Sequence, residues 1–402
     1  MNKHWQIWVD TGGTFTDCFG ISPQGTYQRL KLLSSSRLRG NVLKQLTPDS
    51  FSVQLFWPIQ ANIFQGFTLR HRQRSYVIEA VDTANSMVYI KGEINVLPHD
   101  VIEIETGEEV PVLAARILTQ TRLSDSFPPI QMRLGSTKGT NAMLERKGAA
   151  TALLITEGFT DLLLIGNQQR PDLFALKIEK ELPLYTCVIP VPERIRSSGR
   201  VEKKLSGAAI VTIIRQLKKK KILSVAVCLL NSYKNDVHEQ QLKKALLKNG
   251  FSFVTLSSEV SSQARFLPRT ETAVVNAYLQ PVIHHYLQGI RSGLASADIQ
   301  VMTSSGSLVS MGQFLPKDSL LSGPAGGIVG ASMIGEKSNR NHLITFDMGG
   351  TSTDVSLYHQ GFTYRYESSI GQRKILAPSL AIETIAAGGG SICSFDGYRL
   401  LV

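Results

Sequence analysis

Two glycine-rich octets carry the residue types that bind phosphate and a hard metal ion. Residues 10–17 read DTGGTFTD and residues 347–354 read DMGGTSTD, with six of the eight positions identical. A Gly-Gly-Thr turn presents backbone N–H groups without side-chain obstruction, so a phosphate can approach closely, and threonine hydroxyls add donors. An aspartate before the turn supplies an oxygen for Mg²⁺, usually through water. One such loop alone is equally well explained as a glycine hairpin with an aspartate turn.

The segments around the octets predict the same hairpin twice. WQIWVD precedes the first octet and LITFD the second, while TDCFGIS and DVSLYH provide the strands that follow. A Gln-Gly turn comes next in both places, and we expect TYQRLKLLS and FTYRYES to form the third strands. A Rossmann or Walker loop needs a helix directly after the glycines, whereas a strand follows here. We therefore expect a duplicated hairpin whose facing loops clamp the phosphates of one nucleotide.

The rest of the sequence predicts a mixed α/β protein with a β-rich insertion. Strand-like pieces separated by turns occupy 51–132, and EEVPVLAARILTQ is expected to be a helix near their end. Strands and helices alternate over 133–300, including a helix after Asn235 or Asp236 and a long apolar helix over 271–294. We expect Gly148 to end the helix TNAMLERK. We expect the first lobe to cover 1–50 and 133–300 and the second to begin within 301–402, with the chain ending inside it.

Composition narrows the class of protein. A length of 402 residues, 43% hydrophobic and 19% charged, indicates more than one globular domain. The net charge is +11, but the run RQLKKKKI has no interleaved aromatic residues and is typical of a solvated helix end, so nucleic acid is not an expected partner. The four cysteines show no CxxC spacing, and no apolar run approaches the roughly 20 residues of a membrane span. We expect a soluble cytoplasmic protein.

The motifs resemble the actin, Hsp70 and sugar-kinase superfamily, and more closely the ATP-dependent 5-oxoprolinase and hydantoinase A family. The matching stretches are KLLS (31–34), LGSTKGTNAMLERKGAATALLITEGFTDLLLIGNQQRPDLF (134–174), PRTETAVVNAYLQP (268–281), LLSGPAGGIVGA (320–331), FDMGGTSTDVSL (346–357) and ETIAAGGGSI (383–392). The resemblance implies a two-lobed actin-like, ribonuclease H-like ATPase with an insertion and an incomplete second lobe.

The resemblance also implies roles for individual residues. ATP phosphates would be held on one side by Gly12, Gly13, Thr14 and Thr16, and on the other by Gly349, Gly350, Thr351 and Thr353. Asp10 and Asp347 would order Mg²⁺ and its waters and are the catalytic candidates. For the substrate we consider Arg170 as a carboxylate partner, with Thr137, Asn141, Gly388, Gly389 and Gly390 as further candidates. Each of these six is also compatible with a salt bridge, helix cap or turn.

The implied reaction is ATP-dependent hydrolysis of 5-oxo-L-proline to L-glutamate through phosphorylation of the lactam oxygen. An ATP-dependent hydantoinase is one alternative, and a non-catalytic fragment or nucleotide-gated binding module is another. Family members are longer and many work with a B-type subunit, so we expect that subunit or a downstream half as partner. Whether the chain also forms a homo-oligomer stays open.

Lys138 replaces an apolar residue of the family, which leaves the identity of the substrate open. Cys18 lacks a nearby histidine in sequence and is not expected to be a nucleophile, and His284 and His285 are expected to pack or face solvent.

Overall fold

The protein is represented by a computed structural model, which describes residues 3–54, 62–168, 174, 176, 177, 180–349 and 353–402. The chain forms two compact units, each assembled from separate stretches of sequence. The first unit consists of Met1–Lys138, His285–Met302 and Leu308–Gly312. The second unit consists of Gly139–His284, Thr303–Ser307 and Gln313–Val402.

Strands and helices are mixed throughout the chain, which confirms the predicted mixed α/β class. Up to Ser136 the elements are β1 (Trp5–Thr11), β2 (Phe15–Ile21), β3 (Tyr27–Leu33), β4 (Leu38–Thr47), β5 (Ser50–Gln54), β6 (Thr68–His71), β7 (Arg74–Asp82), β8 (Met87–Lys91), β9 (Val101–Glu105), α1 (Val110–Thr119) and β10 (Ile130–Ser136). From Lys138 to Gly293 they are α2 (Lys138–Leu144), β11 (Thr151–Thr156), α3 (Leu162–Ile165), β12 (Cys187–Val191), β13 (Arg194–Ile195), β14 (Val201–Lys203), α4 (Gly207–Lys219), β15 (Ser224–Cys228), α5 (Val237–Lys248), β16 (Phe253–Leu256), α6 (Ser257–Val260) and α7 (Phe266–Gly293).

The remaining elements are mostly short strands. They are β17 (Asp298–Met302), β18 (Leu308–Ser310), a 3₁₀ turn (Pro316–Ser319), α8 (Ser322–Lys337), β19 (His342–Met348), β20 (Thr353–His359), β21 (Tyr364–Arg365), β22 (Ser368–Ile370), β23 (Arg373–Ile375), β24 (Ser379–Leu380), β25 (Ile382–Ile385), β26 (Ser394–Phe395) and β27 (Leu400–Leu401). In the part of the chain that is described, no helix has the length and apolar character that crossing a membrane requires.

The first unit is built on one sheet with the order β3-β2-β1-β10-β17-β18. β1, β2 and β3 form antiparallel neighbours, while β10 runs parallel to β1 and β17 parallel to β10. Alternate residues of β1 are buried, including Ile7 and Val9, because one side of the sheet is covered by α1. Gly20 in β2 leaves room for that helix, since a Cβ there would lie 3.2 Å from the Leu118 side chain.

A closed barrel is inserted after β3, with the strand order β4-β5-β8-β7-β6-β9. Its core contains fully buried aromatic and aliphatic side chains such as Phe51, Phe67 and Ile102. Because the barrel is closed, each of these six strands is paired with a neighbour on both sides. The barrel's first strand begins at Leu38, after a turn in which Ser36 has a φ of 59°, whereas the sequence placed the start of the insertion at residue 51.

The second unit contains a parallel sheet with the order β12-β11-β15-β16. α4 and α5 pack on it through buried residues that include Leu217 and Leu246. The Ser206 hydroxyl accepts the Ala209 N–H at 3.2 Å and so begins α4, while Lys218 and Lys219 occupy its exposed last turn. The prediction that the lysine run is a solvated helix end is therefore confirmed.

Two local expectations are wrong. FTYRYES does not supply the third strand of the second hairpin: β20 pairs instead with β25, while β21 pairs with β24. Gly148 does not cap α2, which ends at Leu144. A Cβ at Gly148 would lie 2.2 Å from the Tyr278 ring, so this position is glycine because a side chain packs against it.

Candidate functional site

The first glycine loop joins β1 to β2 in a tight hairpin. The Gly12 N–H donates to the Phe15 carbonyl at 3.0 Å, and a Cβ at Gly12 would lie 2.8 Å from that same oxygen. Only glycine therefore fits position 12 without shifting the backbone. Gly13 and Thr14 are exposed at the tip, so their backbone and the Thr14 hydroxyl can meet a ligand.

Ser34, the last residue of KLLS, holds this loop from its inner side. Its hydroxyl donates to the Gly12 carbonyl at 2.8 Å and lies 2.9 Å from the Thr16 hydroxyl, while its N–H donates to the Thr14 carbonyl at 2.9 Å. Thr16 is fully buried, so its side chain supports the loop from within and does not face solvent. Sequence reasoning missed Ser34, although the KLLS stretch contains it.

Asp10 lies at the carboxyl end of β1, directly before the loop. Its Cα partners are Asp17 in β2 and Gly135 in β10. A Cβ at Gly135 would lie 3.0 Å from Asp10 Oδ1, so glycine at this position makes the space that the carboxylate uses. Asp17 is paired with Lys31 at 3.3 Å. Asp10 is exposed, and its carboxylate is accessible to a hydrated metal ion.

Thr137 lies beside the first loop, at the end of the neighbouring strand β10. Its N–H and hydroxyl point to the Thr11 carbonyl at 2.9 and 3.3 Å. The Thr11 hydroxyl is 3.1 Å from the hydroxyl of Tyr286, whose pKa is raised by burial. Thr137 and Tyr286 thus fix the end of β1, and a buried tyrosine that stays protonated contributes no charge there.

Lys138 has partners within the first unit that account for a cation at this position. Its Nζ lies 3.2 Å from Glu109 Oε2 and 4.3 Å from the centre of the Tyr286 ring. A carboxylate and an aromatic face together stabilise an ammonium group. The charge of Lys138 is therefore balanced locally, in contrast to the apolar residue expected from the resemblance.

The second glycine loop joins β19 to β20 in the register of the first. Asp347 is the partner of Asp354, and Met348 the partner of Thr353, as Asp10 and Thr11 are the partners of Asp17 and Thr16. This confirms that the octets form equivalent hairpins. Gly350 and Thr351 lie outside the described residues.

The segment AAGGG is attached to the second hairpin. The Gly389 N–H donates to the Gly349 carbonyl at 2.9 Å, and the Thr353 hydroxyl donates to the Ala387 carbonyl at 2.5 Å. Gly388 forms a turn with Ser391, and Gly390 follows in the same segment. Thr353 is buried, as Thr16 is, so both equivalent threonines tie their hairpin to a neighbouring segment.

Asp347 is exposed and lies next to the glycines of α8. A Cβ at Gly327 would lie 3.8 Å from Asp347 Oδ2, so the small-residue stretch SGPAGG passes close to this carboxylate. Its cross-strand partner Asp354 accepts the Thr384 hydroxyl at 2.6 Å. The second hairpin therefore presents one exposed aspartate beside the small residues at the start of α8.

The other candidates are placed as follows. Arg170 lies outside the described residues. Asn141 is half-buried in α2, where its backbone carbonyl accepts the Glu145 N–H at 2.8 Å.

Cys18 is buried, and desolvation, together with the charges of Asp17 and Asp10, raises its pKa to about 12, so it stays a thiol. His284 and His285 are exposed on α7, and His284 contacts the Phe253 ring edge-on, which agrees with a packing or surface role.

Each glycine loop is preceded by one exposed aspartate, a residue type that binds Mg²⁺ together with water and phosphate. Among the described residues, no group of three or more histidine, cysteine, aspartate or glutamate side chains is arranged to bind a metal. Mg²⁺ typically takes one or two carboxylates and completes its shell with water and substrate phosphates. Asp10, in the space left by Gly135, and Asp347, beside Gly327, are carboxylates of this kind.

Comparisons with known proteins identify relatives of this chain. The family model described as "Hydantoinase/oxoprolinase N-terminal region" matches residues 104–250, and that described as "Hydantoinase/oxoprolinase" matches residues 269–402. The 5-oxoprolinase of Saccharomyces cerevisiae is 42% identical over 296 residues, which are 66% of this chain and 23% of that protein. The 5-oxoprolinase 1 of Arabidopsis thaliana is 42% identical over 321 residues, 74% of this chain and 25% of that protein.

A solved structure shares the fold. The ATP-dependent caprolactamase from Pseudomonas jessenii superposes with a TM-score of 0.65 at 24% identity, covering 98% of this chain and 49% of that chain. This chain spans about a quarter of the length of the two 5-oxoprolinases.

Proposed function

Because the chain belongs to the hydantoinase/oxoprolinase family, we propose that it is the ATP-using part of an enzyme that hydrolyses a cyclic amide. The observation that carries this proposal is the recurrence of one hairpin, with its aspartate and glycine loop in the same register, in both units. A single loop of this kind is a common turn, whereas two equivalent ones indicate a shared role.

Phosphate oxygens of ATP are the proposed ligands of both loops. The exposed backbone of Gly13 and Thr14 offers donors in the first loop, while Gly12, whose N–H is bonded to the Phe15 carbonyl, keeps the turn tight enough for a phosphate to approach. Gly349, Gly350 and Thr351 are assigned the same role in the second. Thr16 and Thr353 keep the loops in shape through their buried hydroxyl bonds. Donors fixed in advance stabilise charge that develops on a transferring phosphoryl group.

Mg²⁺ is the proposed metal, with Asp10 and Asp347 as the carboxylates that hold it and its waters. Their exposure and the glycines beside them leave space for a hydrated ion. The ion would neutralise phosphate charge during transfer. Among the described residues no richer ligand set competes for this assignment.

The chemistry supplied by ATP is phosphorylation of the amide oxygen, which activates the ring carbon towards water. The ring C–N bond then breaks as the nitrogen takes a proton, and a second water releases the phosphoryl group as phosphate. A five-membered lactam is stabilised by resonance and hydrolysis gains little from ring strain, so coupling to ATP makes the ring opening favourable. The residues of this chain would bind the phosphates, orient them and exclude bulk water.

We propose 5-oxo-L-proline as the substrate, with L-glutamate, ADP and phosphate as products. The names of the relatives from yeast and Arabidopsis support this choice. A hydantoin or another lactam is the second candidate, supported by the fold shared with a caprolactamase. A nucleotide-gated binding module without lactam chemistry is the alternative of another class.

The actin-like lobe is likewise a proposal. Its support is the order β3-β2-β1-β10-β17 of the first unit, in which an antiparallel meander is extended by strands parallel to β1. The proposed partner is a B-type subunit or the further part present in longer relatives, because this chain matches 23% of the yeast protein.

The test is release of ADP with and without 5-oxo-L-proline, on this chain and on a form extended along its reading frame. We expect 5-oxo-L-proline to stimulate ADP release in the extended form, and Asp347→Ala to abolish it. ATP turnover that is lost in Asp347→Ala but indifferent to 5-oxo-L-proline, hydantoin and caprolactam would exclude the enzyme and favour the gated module. Failure of the extended form to bind ATP would exclude both.

A further inference from the structure

A cleft of about 690 Å³ lies entirely within the second unit, away from both glycine loops in sequence. Its walls are the end of α3 with residues 166–168, the segment 180–184, the first turns of α7, and the hairpin of β22 and β23. A volume of this size is typical of small-molecule sites. Two of the walls belong to stretches that carry the family resemblance, 134–174 and 268–281, and the phosphate chemistry uses neither wall.

Most charged groups of this cleft already have partners. Arg373 pairs with Glu181 and donates to the Leu182 carbonyl at 2.8 Å. Lys374 Nζ lies 3.2 Å from Glu367, and Lys180 Nζ donates to the Ile165 carbonyl at 2.8 Å. These groups shape the walls and do not need a ligand to balance them.

Glu271 differs from its neighbours. Among the described residues, no lysine, arginine or histidine nitrogen lies within ion-pair distance of its carboxylate, and its hydrogen bond is from the Lys374 N–H to Oε2 at 2.9 Å. It shares one face of α7 with the apolar cleft residues Leu267, Val274 and Val275. A carboxyl group has room for about four hydrogen bonds, so Glu271 keeps capacity for a ligand.

The environment of Glu271 suits an uncharged amide group of a ligand. Burial raises the pKa of this carboxyl group, opposed in part by the Lys374 N–H and by the charges of Arg373 and Lys374. Oε2 accepts the Lys374 N–H, which leaves Oε1 available to carry the proton when the group is in its acid form. The acid then offers one acceptor and one donor on the same edge.

We propose that this cleft binds the ring of a secondary cyclic amide, with Glu271 paired to its N–H and C=O. A small lactam is necessarily cis, so both groups lie on one edge and match the two oxygens of a carboxyl group, while the ring carbons meet Leu267 and Val274. A trans amide, as in an ordinary peptide, directs these groups to opposite sides and cannot form both bonds. The inference rests on the proposed function and identifies a substrate-recognition site for it.

The test uses ligand chemistry before any mutation. We measure binding to the chain, by calorimetry or ligand-observed NMR, of 2-pyrrolidinone, 5-oxo-L-proline, N-methyl-2-pyrrolidinone and L-glutamate. Secondary lactams should bind, whereas the N-methyl form and the ring-opened acid should bind at least about tenfold more weakly, since each loses part of the paired contact. Equal binding of 2-pyrrolidinone and its N-methyl form would overturn the proposal.

Two variants of Glu271 separate this contact from a structural role. Glu271→Gln keeps an acceptor and a donor on one edge and should retain binding. Glu271→Leu keeps bulk but removes both and should weaken binding at least about tenfold. Glu202→Leu, at an exposed site in β14, is the matched control and should bind as the unmodified chain does.

ATP binding, measured on the same samples, distinguishes failure of this inference from failure of the proposed function. Unchanged lactam binding in Glu271→Leu, with ATP binding intact, would place the lactam elsewhere and leave the proposed function standing. Loss of lactam binding in Glu271→Leu with ATP binding retained is the expected result. No lactam binding at all in a chain that binds ATP would overturn the inference alone.

Discussion

Asp10 lies directly opposite Asp17 across the first hairpin, so two carboxylates share one face of the sheet at the start of the glycine loop. Like charges in this position oppose folding by a few tenths of a kcal/mol up to about 1 kcal/mol. Lys31 offsets the charge of Asp17 at 3.3 Å. The equivalent pairing of Asp347 and Asp354 in the second hairpin repeats the arrangement. We expect a cation bound at either aspartate to offset such a cost.

Ser34 is predicted to control the shape of the first loop. Ser34→Ala removes the bond to the Gly12 carbonyl and the contact with Thr16, so we expect the free energy of unfolding to fall by about 1–3 kcal/mol. ATP affinity should fall as well, because the loop loses its support. Denaturant unfolding and nucleotide titration check both effects. Ser35→Ala, at the exposed neighbouring position, is the control, and an equal effect of both substitutions would contradict this role.

Replacing Gly135 is predicted to lower the affinity for Mg²⁺-ATP more than it lowers the stability of the fold. In Gly135→Ala the new Cβ would lie 3.0 Å from Asp10 Oδ1, which requires the carboxylate to shift by a few tenths of an ångström. We expect weaker binding of Mg²⁺-ATP with a change in unfolding free energy of about 1 kcal/mol, the lower end of the range for an added methyl group, because only one side chain has to shift. Gly207→Ala is the control, since a Cβ there meets open space. Unaltered Mg²⁺ dependence in Gly135→Ala would show that this glycine does not position Asp10.

Cys18 is predicted to be unreactive in the folded protein. Burial and the neighbouring Asp17 and Asp10 raise its pKa to about 12, so almost no thiolate exists at pH 8. Cys393 is exposed and should be alkylated first. Mass spectrometry after brief iodoacetamide treatment checks the order. Labelling of Cys18 as fast as Cys393 in folded protein would contradict the assignment of Cys18 as a packing residue.

Glu271 is predicted to make stability depend on pH. Its pKa is raised in the folded state, mainly by burial, while Arg373 and Lys374 oppose and Glu367 reinforces the shift. The folded state then binds more protons than the unfolded state above the ordinary pKa of the group, so stability falls as pH rises through the folded pKa. Glu271→Gln cannot titrate, and its stability relative to the unmodified chain should be greater at pH 8 than at pH 4. Denaturant unfolding at both pH values checks this, and a pH-independent difference would contradict it.

The sequence predicted the features that depend on local pattern. The glycine pairs predicted both hairpins and their aspartates, and the strand-like pieces expected within 51–132 include β7, β8 and β9. EEVPVLAARILTQ contains α1, with Pro111 in its first turn as helix geometry permits. These elements need no knowledge of distant contacts.

Features that depend on distant partners could not be read from the sequence. Ser34 supports Gly12 across the sheet, and Gly148 is fixed by Tyr278, which lies far along the chain. β20 pairs with β25 and not with FTYRYES, because the alternation of residues within a strand does not determine which other strand it pairs with. The cleft around Glu271 combines four separate segments, so no single motif indicated it. The shared use of one nucleotide by both loops stays a prediction.

Calorimetric titration shows whether Asp10 and Asp347 both take part in binding Mg²⁺-ATP. It is carried out on the unmodified chain, on Asp10→Asn and Asp347→Asn, and on the exposed control Asp298→Asn. Asn keeps the size of each side chain and removes its charge, so the fold should be unaffected or slightly stabilised. We predict that the unmodified chain and Asp298→Asn bind Mg²⁺-ATP alike, while either loop variant binds at least about tenfold more weakly. Equal affinity in all four proteins would contradict it.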